Sequence, residues 1–406
     1  MEPFKRARRR GHHRRGLLAV SLALVAVFAA ACGSSSKHTG GSTTTAAGGG
    51  SGPVTVSVVM GFGGPYGRVI DQAYQGFEAA IKDVNAAGGI NGHQVDLIKV
   101  DHHETTAGGV AACKEVESNG SLVAAVLEGN SGANTSATKC LDKAGVPTLY
   151  FASANDPSLR SAFTYLPAAS DQGTSMASYI QNALKLGSTK IGVIYDNGEA
   201  YVEQQQKFDT AAKAAGLNVV DNEQVTATQS SFVPVLNKLK GAGAETVVVF
   251  ATAEPPGIWR DAATLGWRPH FTGTGYVFDF VSEAAKATAT GVTGLGTNAT
   301  VETPAYAAYD ARMRAYGWAV PRTADQGFVL YGAGQLMAEM LRKAGAAPTR
   351  ASFVSGAETI SGYDNRILPP ITYSKANHFG TTASFPSSCC NADFTWRAAG
   401  APASAF

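Results

Sequence analysis

Two α/β lobes, each a doubly wound parallel sheet, joined by a hinge with a ligand cleft between them, are what this sequence predicts. Three observations carry that reading. Short apolar runs alternate with stretches whose apolar residues recur every three or four positions. The alternation pauses at "YLPAASDQG" and starts afresh. The 375 residues that follow an apolar N-terminal segment exceed one typical domain and fit two. Strands separated by single helices imply parallel pairing with right-handed crossovers.

The elements follow in order. "VTVSVV" (Val54–Val59) is a strand. The helix after it begins near Val69 and presents Ile70, Ala73, Phe77, Ala80, Ile81 and Val84 on one face. Gly88-Gly89 supplies its left-handed stop. "QVDLIKV", "LVAAVLE" and "PTLYFA" read as strands two to four, with "GGVAACKEVE" and "NTSATKCLDKAG" as the helices between them. After the pause, "KIGVIYD", "NVVDNEQV" and "TVVVFAT" are strands, and "YVEQQQKFDTAAKAAG", "FVPVLNKLKGAG" and "GIWRDAATLG" are helices. Two further helices, "AYAAYDARMRAYG" and "DQGFVLYGAGQLMAEMLRKAG", precede an irregular tail with β-like pieces at "PPITYSK" and "DFTWRAA". The expected division places 54–166 and 298–348 in the first lobe, 167–297 and 349–406 in the second. Ligands of such sheets bind outside the carboxyl ends of the strands and between domains.

The N-terminus indicates where the protein works. A basic head from Lys5 to Arg15 precedes the apolar run Leu17–Ala31, which is short for a membrane span and right for an export signal. Cys32 directly after three alanines marks a lipidation site, so 1–31 is expected to be removed. Residues 32–53, rich in Gly, Ser and Thr, form a flexible leash reaching roughly 25 Å. Sec and twin-arginine export both fit Arg14-Arg15. Of the 33 Lys and Arg, seven lie in the first 31 residues with one acid, Glu2, which leaves 26 bases against 30 acids. No basic stripe remains, so nucleic acid is not an expected partner. Cys113 and Cys140 fall on helices flanking the same strand and are expected to pair; the adjacent Cys389 and Cys390 permit a vicinal bridge. No His stands at zinc-ligand spacing from these cysteines, and no metal is expected.

Three motifs compete for the chemistry. "GFGGPYG" (61–67) sits where a dinucleotide fold grips phosphate, but Tyr66 replaces the third glycine, and the acid expected about 20 residues on is not matched by Asp101, which ends strand two 38 beyond Gly63. "EGNSGANTS" approximates a nucleophile elbow at Ser131, with His270 or His378 downstream, yet Ser and Gly between strand and helix are ordinary turn chemistry. Asp101-His102-His103-Glu104 reads as a solvated loop, since neighbouring residues on a strand point to opposite faces. Non-covalent capture in the cleft remains, with Phe62 and Tyr66 of the glycine-rich turn covering an apolar part of a solute.

"GFEAAIKDVNAAGGINGHQVDLIKVD" resembles the first helix and second strand of the branched-chain amino-acid (type I periplasmic) substrate-binding proteins of ABC transporters, "NAAGGINGHQV" being its most specific piece. "KAGVPTLYFASAN", "SDQG", "KIGVIYDNGEAY" and "LPPITYSKANHFG" follow in the family's order, and the resemblance runs from Val54 to about Gly380. It implies that Ser131 holds a ligand carboxylate at a helix start, where free N–H groups suit an anion. It also implies that Ala152, Ser153 and Ala154 face the ligand, and that Tyr201 closes from the second lobe near Thr252. Tyr201 packed on its own lobe is the alternative. The family's amino-acid binders place a carboxylate after the strand that here reads "HFTGTGY". This chain has Gly275-Tyr276 there and Asp279 as the nearest acid, so Asp279, Glu254 or Glu128 substitutes or the ligand is not an α-amino acid. The implied protein is a monomeric, lipid-anchored, extracytoplasmic solute-binding protein. It needs no cofactor, performs no catalysis and delivers to an ABC permease. A sensor for a receptor and a secreted serine hydrolase using Ser131 are the rival readings.

Overall fold

The computed structural model describes residues 52–63, 67–129, 131–151, 156 and 158–406, the side chain of Ser131 excepted. Among them the chain runs β1 (Val54–Met60), α1 (Gly67–Ala86), β2 (Val95–Asp101), α2 (Thr106–Ser118), β3 (Leu122–Glu128), α3 (Ser131–Lys143), β4 (Thr148–Tyr150) and β5 (Ala162–Pro167). It continues with α4 (Ala169–Ser178), β6 (Lys190–Asp196), α5 (Glu199–Ala214), β7 (Asn218–Val225), α6 (Val233–Gly241), β8 (Thr246–Phe250), α7 (Pro255–Thr264), β9 (His270–Thr274), α8 (Asp279–Ala285) and β10 (Thr293–Gly296). The last elements are α9 (Pro304–Ala315), α10 (Asp325–Lys343), α11 (Arg350–Ala357), β11 (Phe379–Thr381), β12 (Phe385–Cys389) and β13 (Trp396–Ala398).

Two sheets result, in the orders β11-β5-β4-β3-β1-β2 and β13-β12-β10-β9-β8-β6-β7. Pairing is parallel except where β12 joins β10 and β13. β1 and β3 are buried along their whole length, because helices cover both faces of a parallel sheet and no alternation of polar residues survives. The chain crosses between the sheets after β5, after β10 and after β11.

The tail corrects the expected lobe boundary. The expectation placed 349–406 in the second lobe, but α11 packs on α10 and β3, and β11 pairs with β5 in the first sheet. Only from Phe385 does the chain join the second sheet. A three-residue strand has no period to read. "PPITYSK" forms isolated bridges, Tyr363 with Ile371 and Ser374 with Asn377, in place of a strand.

α1 and α10 approach closely through glycine. A Cβ on Gly76 would collide with the Gly327 carbonyl, and one on Gly334 would press on Ala80. Cys113 of α2 and Cys140 of α3 are bonded at 2.07 Å, with Cα atoms 6.0 Å apart. Cys389 and Cys390 are joined as a vicinal pair across a cis peptide bond. No helix among the described residues is long and apolar enough to cross a membrane.

Candidate functional site

The sheet orders fix where the site must be. The strands run parallel, but the order in which they are added reverses between β1 and β3 in the first sheet and between β6 and β8 in the second. A crevice opens at the carboxyl side of each reversal. The first lobe contributes Gly61 and Phe62 after β1, Glu128 and Gly129 at the end of β3, the start of α3, and Phe151 after β4. The second contributes Asp196 at the end of β6, the start of α5 with Tyr201, and Thr252 and Glu254 after β8. The lobes touch across this region: the rings of Phe151 and Phe278 lie 6.2 Å apart, and Glu199 closes a void of about 20 Å³ beside Thr135, Thr138 and Tyr150. A cavity of about 390 Å³ between α1 and α10, bordered by Asp83, Tyr331 and Arg342, lies at the opposite end of the first sheet.

The glycine-rich turn is already occupied by carboxylates. Gly63 N–H donates to Asp101 Oδ2 at 2.9 Å, and a Cβ on Gly61 would run into the Glu104 carboxylate. Asp101 and Glu104 thus take up the position a phosphate would need, and negative charge there repels it. Phe62 turns back onto its own lobe, edge-on to Tyr74 at 5.8 Å and under the Lys99 ammonium at 5.1 Å. Tyr66, Ala152, Ser153, Ala154 and Cys32 lie outside the described residues.

His102 overturns the solvated-loop reading. It is fully buried. Its Nδ1 accepts from the Glu104 N–H at 3.2 Å, and its Nε2 donates to the Glu128 carbonyl at 2.9 Å. The ring therefore ties the end of β2 to the end of β3 and shapes the crevice floor. The exposed neighbour His103 pairs instead with Asp101 at 3.1 Å. Sequence reading could not place His102, because two adjacent histidines give no sign of which is turned inward.

Asn134 was not singled out by the sequence either. It is fully buried in the first turn of α3, and its Nδ2 donates to Gly129 O and Phe151 O at 3.1 Å each. It braces the start of α3, where Ser131 is the first helical residue, against the turns after β3 and β4. The start of α3 follows the end of β3, and a helix start in general favours an anion.

In the second lobe the structure brings Tyr201 and Thr252 together. Tyr201 donates to Thr252 Oγ1 at 2.5 Å, and Thr252 donates in turn to the Gly275 carbonyl at 2.6 Å. This relay explains why no acid follows β9. Gly275 has φ +85°, and a Cβ there would sit 2.9 Å from both the Tyr201 ring and the Ala251 carbonyl. Beside Asp196 at the β6–β8 switch lies a second acid, Glu254, which is 4% exposed and has one oxygen, Oε1, with no hydrogen-bond partner. Burial, followed by the hydrogen bond and charge of Asp196, pushes its carboxyl up to about 7. Burial likewise drives Glu128 well above the usual range, although Tyr165 OH donates to it at 3.3 Å.

Tyr276 and Asp279 need correction. Tyr276 is fully buried between Trp259 and Trp396, with ring centroids 5.3 and 6.0 Å away, and its hydroxyl donates to Thr293 O at 2.8 Å. It is core, because the residue after Gly275 turns inward. Asp279 starts α8 and accepts from Trp396 N–H at 2.7 Å, so it is committed to the fold. The serine-hydrolase arrangement is also absent among the described residues. His270 and His378 stand at the amino ends of β9 and β11, away from the start of α3, and both nitrogens of His102 are engaged. No group of three or more metal-ligating side chains occurs among the described residues.

Residues 53–387 match the family described as periplasmic binding protein. The chain belongs to that family. Curated relatives of this periplasmic binding protein include Leu/Ile/Val-binding protein homolog 3 of Brucella melitensis, 28% identical over 198 residues, 48% of this chain and 53% of the relative. The Leu/Ile/Val-binding protein of Escherichia coli is 25% identical over 54% of this chain and 60% of its own length. The chain spans about half the length of the curated relatives it matches. Among solved structures, a branched-chain amino acid ABC transporter protein of Thermus thermophilus with bound valine superposes with TM-score 0.75, at 17% identity over 87% of this chain and 97% of that one. A solute-binding protein from R. palustris in complex with 4-hydroxybenzoate gives 0.74, at 14% identity over 86% and 97%. These structures share the fold, two α/β lobes built on mainly parallel sheets.

Proposed function

We propose that this protein is the extracytoplasmic solute-binding component of an ABC importer, capturing an amino-acid-like solute between its lobes and passing it to a membrane permease. One observation carries the reading: Glu254, which follows β8 of the second lobe, is a buried acid with an unpartnered oxygen, and the start of α3 in the first lobe is suited to a carboxylate. A carboxylate and an ammonium on one solute match that pair. An ammonium buried without a partner would cost several kcal/mol. Glu254 takes the place of the acid that Gly275 leaves no room for, and Tyr201, held by Thr252, forms the lid from the second lobe. Cys32 carries the lipid that tethers the protein to the outer face of the membrane, and the monomer is the working unit. Titration calorimetry with α-amino acids, their decarboxylated amines and their deaminated acids tests this. One-to-one binding of an amino acid, weakened by removing either charged group, is the expected result. Equal binding of the deaminated acid sinks the role of Glu254.

A further inference from the structure

We propose that Asp279 and Asp325, one from each lobe, form a proton-operated latch that favours the lobe orientation seen here in mild acid and loosens it as the pH rises. Asp279 begins α8 of the second lobe and Asp325 begins α10 of the first, so two helix starts meet at the lobe junction. The Asp325 carboxylate reaches across: its Oδ2 accepts the Asp279 N–H at 3.0 Å, capping a helix of the other lobe. Asp279 Oδ1 accepts from Trp396 N–H at 2.7 Å, while Asp325 Oδ1 has no hydrogen-bond partner. Each residue is only 3% exposed.

The surroundings do not neutralise two charges. Asp393 and Glu302 add negative charge at the junction, and Glu302 accepts from Asn391 at 2.9 Å across it. Arg322 is the cation there and already pairs with Asp393 at 3.2 Å. Glu283 of α8 and Lys286 directly after it pair with each other at 3.9 Å. The phenols Tyr306 and Tyr309 face the pair from α9, and Asp310 of the same helix lies beside them and pairs with Arg314 at 2.9 Å. Burial, and then the charge of Asp325, raises Asp279 well above the carboxylate range. Burial raises Asp325 to about 7 against the pull of N–H groups from Asp279, Phe280 and Gln326.

The sign follows. When the lobes part, water returns to both carboxyls and they revert to an ordinary value near 4. The docked arrangement therefore binds more protons than the parted one; its advantage is full below about pH 4 and is lost as the pH rises through about 7. The latch rests on the lobes moving as bodies, not on which solute fills the crevice.

Small-angle X-ray scattering of the solute-free protein between pH 5.5 and pH 8.5, roughly the range over which such a carboxyl titrates, is the test. The wild-type profile is expected to change as the pH rises toward about 7 and to change little above it. Asp325→Asn keeps the acceptor for the Asp279 N–H but cannot ionise and removes the charge facing Asp279, so its profile should change less with pH than the wild type's, and Asp325→Asn with Asp279→Asn should hold the acidic profile throughout. Asp279→Asn alone should behave as Asp325→Asn does and serves if that variant does not fold. A wild-type profile constant across the range, or Asn variants that titrate as the wild type does, overturns the proposal. Because no solute is present, failure of the solute reading in calorimetry leaves this experiment unaffected.

Discussion

Replacing Glu254 by Gln should stabilise the protein at pH 8 and not at pH 5. The acid ends the turn after β8, beside Asp196 on the neighbouring strand β6, and is 4% exposed. A carboxyl raised from 4.5 to about 7 resists ionisation by roughly 3 kcal/mol. In the unfolded chain it ionises at its ordinary value. Its favourable contribution is therefore fully present below about 4.5 and lost as the pH rises through about 7. Gln does not ionise and carries no such cost. Urea unfolding of the two proteins should give nearly equal free energies at pH 5 and a difference of about 2–3 kcal/mol in favour of Gln at pH 8. An identical difference at both pH values would refute the reasoning. If Glu254 also pairs a solute ammonium, the same substitution weakens solute binding while it strengthens the fold, as expected where a site holds a buried charge for a ligand.

Three further outcomes are expected. Cys113→Ser with Cys140→Ser opens a loop with a sequence separation of 27 and should lower stability by about 3–4 kcal/mol, seen as a matching loss in wild type on reduction. Gly76→Ala forces a methyl against the Gly327 carbonyl and should cost about 1–3 kcal/mol in unfolding experiments. Tyr276→Phe leaves the Thr293 carbonyl without its donor and should cost about 1–3 kcal/mol in stability with solute affinity unchanged; a weakened affinity would return Tyr276 to the crevice.

The fold was legible because parallel strands buried on both faces read as unbroken apolar runs. Val54–Met60 and Leu122–Glu128 show this, and α1 betrays itself by its three–four spacing. Elements too short for a period escaped, among them β10, α8 and β11, and the lobe boundary moved with β11. The crevice was legible in outline, since Tyr201 and Thr252 follow strands six and eight and meet through their hydroxyls. What the sequence hid was side-chain direction. Tyr276 and Asp279 lie next to the crevice in sequence, yet backbone torsion at Gly275 and the bond to Trp396 turn them into the core. His102 looks like a loop polar residue and Asn134 like an ordinary helix start, and only burial reveals them as braces.

The central claim is that this chain holds one small amino-acid-like solute between its lobes. Mass spectrometry of the purified protein, native and then denatured, tests it most directly. The account expects the native mass to exceed the chain by one small molecule bearing both a carboxylate and an amine, released on denaturation and restored when added back. A native mass equal to the chain alone, unchanged by saturating amino acids, would contradict it, as would a released dinucleotide.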